Sequence, residues 1–188
     1  KFKDMDVLEL WNKFDSVSVG ASLDAEGPRA ELMRTGTKWE QTINNRKRMM
    51  EVSPKVDFYI SSTVSLPNAL HVADFHRSWV EQGLIKPEDF NYNLLQMPTW
   101  QRLDILPLEY KEQIKEKYTA HLKWLKDQDH LTRASKGYES ALDWMYKKDN
   151  TQHLQWFFER TKKYDEVRKE KFTDVFPEWK ELFDKYDK

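Results

Sequence analysis

The chain has 188 residues, enough for one sizeable domain with its own core. Charged residues make up 34% of it, yet the formal net charge is only −1, a mixed solvated surface without the basic footprint of a nucleic-acid binder. Cysteine is absent, which excludes disulfides, thiolate zinc sites, cysteine nucleophiles and cysteine-ligated iron–sulfur clusters within the chain.

In chain order, Met5 to Phe14 carries Val7, Leu8, Leu10, Trp11 and Phe14 at helical spacing. Ser16 to Ser22 is a short β-type run, and Leu23 to Pro28 a turn-rich loop. Thr37 and Glu40 fit a capping box, predicting a helix to about Glu51. Val56 to Ser62 reads as a second strand. The next helix covers roughly Ala69 to Gln82 and is closed by Gly83. Phe90 to Gln96 is a third strand, stopped by Met97-Pro98, and Trp100 to Ile105 is expected to extend again. After Pro107 the pattern turns helical, over Leu108 to Leu125, His130 to Tyr146, Gln152 to Tyr164 and Pro177 to Tyr186.

Strands alternating with helices imply parallel pairing through right-handed crossovers. The expected fold is α/β, a partial parallel (β/α) barrel of three or four strands over residues 1–107, with a helical C-terminal extension over residues 108–188. A small complete three-stranded α/β domain with a helical tail fits the same pattern. Sheet edges left free by a cut barrel predict a homo-oligomer, a two-fold dimer through the edge of Ser16 to Ser22. No apolar run approaches the about 20 residues that span a bilayer. The opening Lys1-Phe2-Lys3-Asp4 has no signal-peptide character, so a cytoplasmic protein without membrane or nucleic-acid partners is expected.

The run Val17 to Gly27, with Ser22-Leu23-Asp24-Ala25-Glu26-Gly27, resembles the fourth strand of radical S-adenosylmethionine enzymes, which commonly ends Ser-Ile/Leu-Asp-Gly. Arg34-Thr35-Gly36-Thr37 is similar to the family's Arg-Xaa-Gly-Thr stretch, and Asn44 to Met49 to the helix that follows. Phe58 to Asn68 resembles the fifth strand, with Thr63 and Asn68 in and after it. The tail, Asp165 to Arg168 and Phe172 to Glu178, resembles the end of the phage and bacterial twitch-domain subgroup. The family's Cys-Xaa3-Cys-Xaa2-Cys loop has no counterpart here. The resemblance thus implies the substrate-side, C-terminal portion of such an enzyme, without the cluster-binding N-terminal half and inactive alone. S-adenosylmethionine and a 4Fe-4S cluster are implied only for the intact relative.

By that resemblance Ser22, Asp24 and Arg34 would meet the ribose or the methionine carboxylate, Arg34 as a bidentate clamp. Thr63, Asn68 and Gln96 join them as cofactor-binding candidates, because parallel sheets bind ligands at the carboxyl ends of their strands. Ordinary turn and cap roles account equally for Ser22 and Asp24, and a surface ion pair for Arg34. His71 and His76 are five apart, the wrong spacing for two metal ligands on one helical face. No metal site is expected, and His121, His130 and His153 are read as surface or capping residues. Trp124, Trp144, Trp156, Phe157 and Phe158 are read as the core of a helical layer. Two further functions stay open: a non-catalytic protein-interaction module using the aromatic tail, and a small-ligand-binding domain.

Overall fold

A computed structural model describes residues 5–128 and 133–187. The elements run α1 (Val7–Trp11), β1 (Ser18–Ala21), α2 (Gly27–Met33), α3 (Trp39–Val52), β2 (Asp57–Val64), α4 (Val72–Glu81) and β3 (Phe90–Leu94). Then follow α5 (Leu108–Asp127), α6 (Arg133–Met145), α7 (Leu154–Arg168), α8 (Phe172–Val175) and α9 (Lys180–Tyr186). The strands form one parallel sheet in the order β1-β2-β3. Each crossover carries helices, as the alternation predicts, and among the described residues the sheet has three strands. Among them, no helix is long and apolar enough to cross a membrane.

The core lies on one face of the sheet. Phe58, Ile60 and Val64 from β2 and Phe90 and Tyr92 from β3 are buried there. From α4, Phe75 meets Phe90 edge-on at 5.8 Å, and Trp79 is wholly buried beside Trp39. α6 approaches β3 so closely that a Cβ on Gly137 would lie 2.5 Å from the Tyr92 Cβ. The Tyr92, Tyr118 and Tyr138 rings pack edge to face around this contact, with a 3.2 Å hydroxyl hydrogen bond from Tyr92 to Tyr118. Burial raises the pKa of all three phenols, so they stay neutral.

The C-terminal helices return to the strand ends. Trp179 donates its indole N–H to the Pro67 carbonyl at 2.9 Å, in the loop after β2. Glu178 pairs with Arg29 of α2 at 2.9 Å, and Arg168 of α7 donates to the Leu32 carbonyl at 3.1 Å. Phe157, Phe158, Phe172 and Phe183 pack together behind these contacts.

Local expectations differ from the structure at several points. Gly27-Pro28 opens α2 instead of a loop, since proline is well placed in a first helical turn. The Thr37/Glu40 capping box does not form: the residue capping α3 is Lys38, not Thr37, and Glu31 accepts the Trp39 N–H at 2.8 Å. Trp100 to Ile105 makes two 3-10 turns, not a strand. Leu103, Ile105 and Leu106 are all fully buried, which tight turns permit and two-residue strand alternation does not. Trp156 is half exposed, and Trp124 and Trp144 are only partly buried, beneath the guanidinium groups of Arg77 and Arg102. His130 lies outside the described residues, and His153 stands at the start of α7 without a side-chain capping bond.

His121 is not a surface residue. It is 5% exposed, and its Nε2 lies 3.0 Å from Nδ1 of the fully buried His76. Nε2 of His76 in turn faces the Pro87 carbonyl at 3.1 Å, which makes it the donor there. His76 stacks on Phe90 at 4.2 Å. Burial pushes the His76 pKa down to about 3 and that of His121 to about 4, with His121 also opposing charge on His76 and Arg77 opposing it on His121.

Candidate functional site

Asp24 lies three residues beyond β1 and is 7% exposed. A buried carboxylate needs partners on both oxygens. Its Oδ2 accepts from Arg34 Nε at 2.8 Å, and its Oδ1 accepts from the Thr63 backbone N–H at 2.8 Å. The second bond reaches across to the neighbouring strand, so Asp24 ties the end of β1 to the end of β2. Asn68, fully buried, completes the tie. Its Nδ2 donates to the Asp24 carbonyl at 2.7 Å and to the Thr63 carbonyl at 3.0 Å, while its Oδ1 accepts from the Ser65 N–H at 2.8 Å.

Arg34 follows α2 directly and is held by Nε alone. Its side chain is 41% exposed, and among the described residues its terminal nitrogens carry no hydrogen bond. An anchored guanidinium with two free parallel N–H groups can take a carboxylate in bidentate fashion.

Four of the six residues singled out from the sequence, Asp24, Arg34, Thr63 and Asn68, thus stand in one network. Ser22 and Gln96 do not join it. Ser22, one residue past β1, is exposed, and among the described residues its side chain makes no hydrogen bond to the network. Gln96, two residues past β3, is also exposed, and its Nε2 turns back to the Leu94 carbonyl at 3.4 Å. It lines a separate cleft with Arg102, Asp104 and Trp144.

Beside the network lies a cleft of about 220 Å³, lined by Met33, Ser65 and Pro67 and by Thr161, Tyr164 and Arg168. Asp165 borders it. Burial raises its carboxyl pKa, against two bonds from the Phe172 N–H at 3.0 and 3.1 Å. Sequence reasoning missed this cleft because its walls come from segments about a hundred positions apart, each noted separately and with nothing local to join them. At the start of α4, His71 and Glu26 stand 4.0 Å apart. Burial, with Arg29 nearby, holds the His71 pKa down to about 4, and burial raises that of Glu26 despite a bond from Ser78 Oγ at 3.2 Å. Among the described residues no group of three or more His, Cys, Asp or Glu side chains is placed to hold a metal ion.

No protein-family profile matches the chain, and no curated protein or solved structure gives a significant match to it.

Proposed function

We propose that this chain is the substrate-side portion of a radical S-adenosylmethionine enzyme, its sheet being part of a (β/α) barrel and its own residues insufficient for the radical step. The observation that carries the reading is the anchored Arg34. It stands at the carboxyl ends of two adjacent parallel strands, fixed through Asp24 to Thr63, with its terminal nitrogens unbonded among the described residues. Parallel α/β folds bind their ligands at such strand ends. The methionine carboxylate of S-adenosylmethionine is a partner these nitrogens fit. The residues here do not fit an iron–sulfur cluster, because cluster ligation uses thiolates and the chain has no cysteine. The reducing centre would belong to another polypeptide segment.

Calorimetric titration of the chain with S-adenosylmethionine tests the proposal. Binding is expected, weakened at least about tenfold by Arg34→Ala, as for loss of a charge-assisted bidentate contact. No cleavage to 5′-deoxyadenosine is expected, and anaerobic treatment with iron and sulfide should leave the chain colourless. Absence of binding, or binding indifferent to Arg34, would overturn the assignment. A Cys-Xaa3-Cys-Xaa2-Cys run encoded upstream in the same reading frame is expected as well. A small-ligand-binding domain without radical chemistry uses the same strand-end groups, and would bind other carboxylates as well as S-adenosylmethionine.

A further inference from the structure

The sheet has two unlike faces. Along β2, Phe58, Ile60, Ser62 and Val64 are buried, whereas Asp57, Tyr59, Ser61 and Thr63 stay exposed or half-buried. Cross-strand partners in a parallel sheet share a face, so register extends this second face sideways. It sets Ser18 beside Asp57, Gly20 beside Tyr59, Ser61 beside Asn91 and Thr63 beside Asn93. Parallel sheets ordinarily bury both faces under apolar side chains. This one carries hydroxyls, amides and a single phenol instead.

Three details define its chemistry. The Tyr59 ring lies against Gly20, where a Cβ would come within 2.8 Å of the ring, so the strand offers a flat aromatic surface. Asn93 donates to Ser61 Oγ at 3.1 Å and to the Ser62 carbonyl at 3.2 Å, which fixes the amide and leaves the Ser61 hydroxyl proton free to donate. Charge is confined to the margins: Asp57 at the amino end takes the Ser18 hydroxyl at 3.0 Å, and Arg34 stands beyond the carboxyl end.

We propose that this face binds an uncharged sugar ring, laid on Tyr59 and hydrogen-bonded by Ser61, Asn91 and Asn93. A charged ligand group would lose hydration there without meeting a counter-charge. An apolar one would leave hydroxyls and amides unpaired. A sugar ring supplies alternating donors and acceptors around its edge and apolar C–H groups on its faces, which match a mixed polar row beside an aromatic plane. The inference rests on the proposed function in one respect, that the open face looks into the substrate space.

The test is a titration of the ¹⁵N-labelled chain with methyl glucoside and methyl riboside, with gluconate as the charged control, followed through amide shifts. Saturable shifts at Tyr59, Ser61, Asn91 and Asn93 are expected with a neutral glycoside and not with gluconate. Asn91→Ala and Ser61→Ala should each weaken the response roughly fivefold, the loss of one hydrogen bond. Tyr59→Phe, which removes only a hydroxyl, serves as a third variant should either of these fail to fold. Shifts that are absent, scattered over other elements or equal with gluconate would overturn the inference. S-Adenosylmethionine titrated into the same samples separates the two proposals. Binding dependent on Arg34 with no glycoside response sinks the sugar site alone, and the converse sinks the functional reading alone.

Discussion

Asp24 and Arg34 share one hydrogen bond but bear different weights. Asp24→Ala leaves the Thr63 N–H without an acceptor, removes the anchor of Arg34 and opens a gap beside the buried Asn68, and a loss of about 3 kcal/mol in unfolding free energy is expected. Arg34→Ala leaves Oδ2 of the buried Asp24 without its partner, but the site of the lost side chain is 41% exposed and water can fill it in part, so a smaller loss of about 1–2 kcal/mol is expected, while ligand affinity falls. Urea denaturation of both variants checks the contrast, and equal losses would refute it. The buried imidazoles give a pH dependence of definite sign. His71 and His121 titrate at about 4 and His76 at about 3, all below the ordinary 6.5. Their folded pKa values are depressed, so unfolded chains take up protons first. Stability is full above pH 6.5 and should fall as pH drops toward 4, by roughly 1.4 kcal/mol per pH unit for each imidazole. Denaturation midpoints compared at pH 7 and pH 5 report this, and a flat profile would exclude it. At this scale the sequence was half legible. Asp24, Arg34, Thr63 and Asn68 stood out through the family resemblance and through their place at or just beyond strand ends, where parallel sheets bind ligands. The His76–His121 pair did not, since its partners lie on helices 45 positions apart and share no local pattern.

The helix termini and contacts show what periodicity conveys. Gly83 ends α4 as its pattern predicts: φ is +67°, its N–H bonds the Val80 carbonyl at 2.9 Å, and the Leu84 N–H bonds the Trp79 carbonyl at 2.9 Å. Gly83→Ala should cost about 1 kcal/mol, measured as a lowered melting temperature. Gly137 works differently. Its place in α6 is set by the Tyr92 Cβ, an atom that cannot swing aside. Alanine is the better helix former by about 1 kcal/mol, yet overpacking costs about 1–3 kcal/mol. Gly137→Ala is therefore expected to be net destabilising, and a stabilised variant would show that α6 can move off β3. The strands and long helices were legible because their periods of 2 and 3.6 residues survive in the sequence. The 3-10 turns at Thr99–Gln101 and Leu103–Ile105 and the short α8 were not, since elements this brief complete no period.

For the whole molecule, parallel order follows from strand–helix alternation, and the sheet has it. Which face is covered could not be read in advance, because short strands such as Ser18–Ala21 alternate too few times to reveal a side. The open face of the sheet is polar and gives no apolar motive for association, which leaves the sheet edge as the motive. A two-fold dimer through the edge of β1 remains our proposal. Light scattering coupled to size exclusion should give twice 22.7 kDa, and a mass of 22.7 kDa across a wide concentration range would rule the dimer out.

The indole of Trp179 holds a carbonyl 112 positions earlier, in the same loop that supplies Asn68. During synthesis β1 and β2 leave the ribosome well before Trp179, and that loop lacks its clasp until the indole follows. At about 5–20 residues per second, the interval lasts several seconds or more. The strand ends are thus assembled provisionally and fastened later, and a nascent chain arrested before Trp179 should expose the Pro67 loop to proteases that spare the released protein.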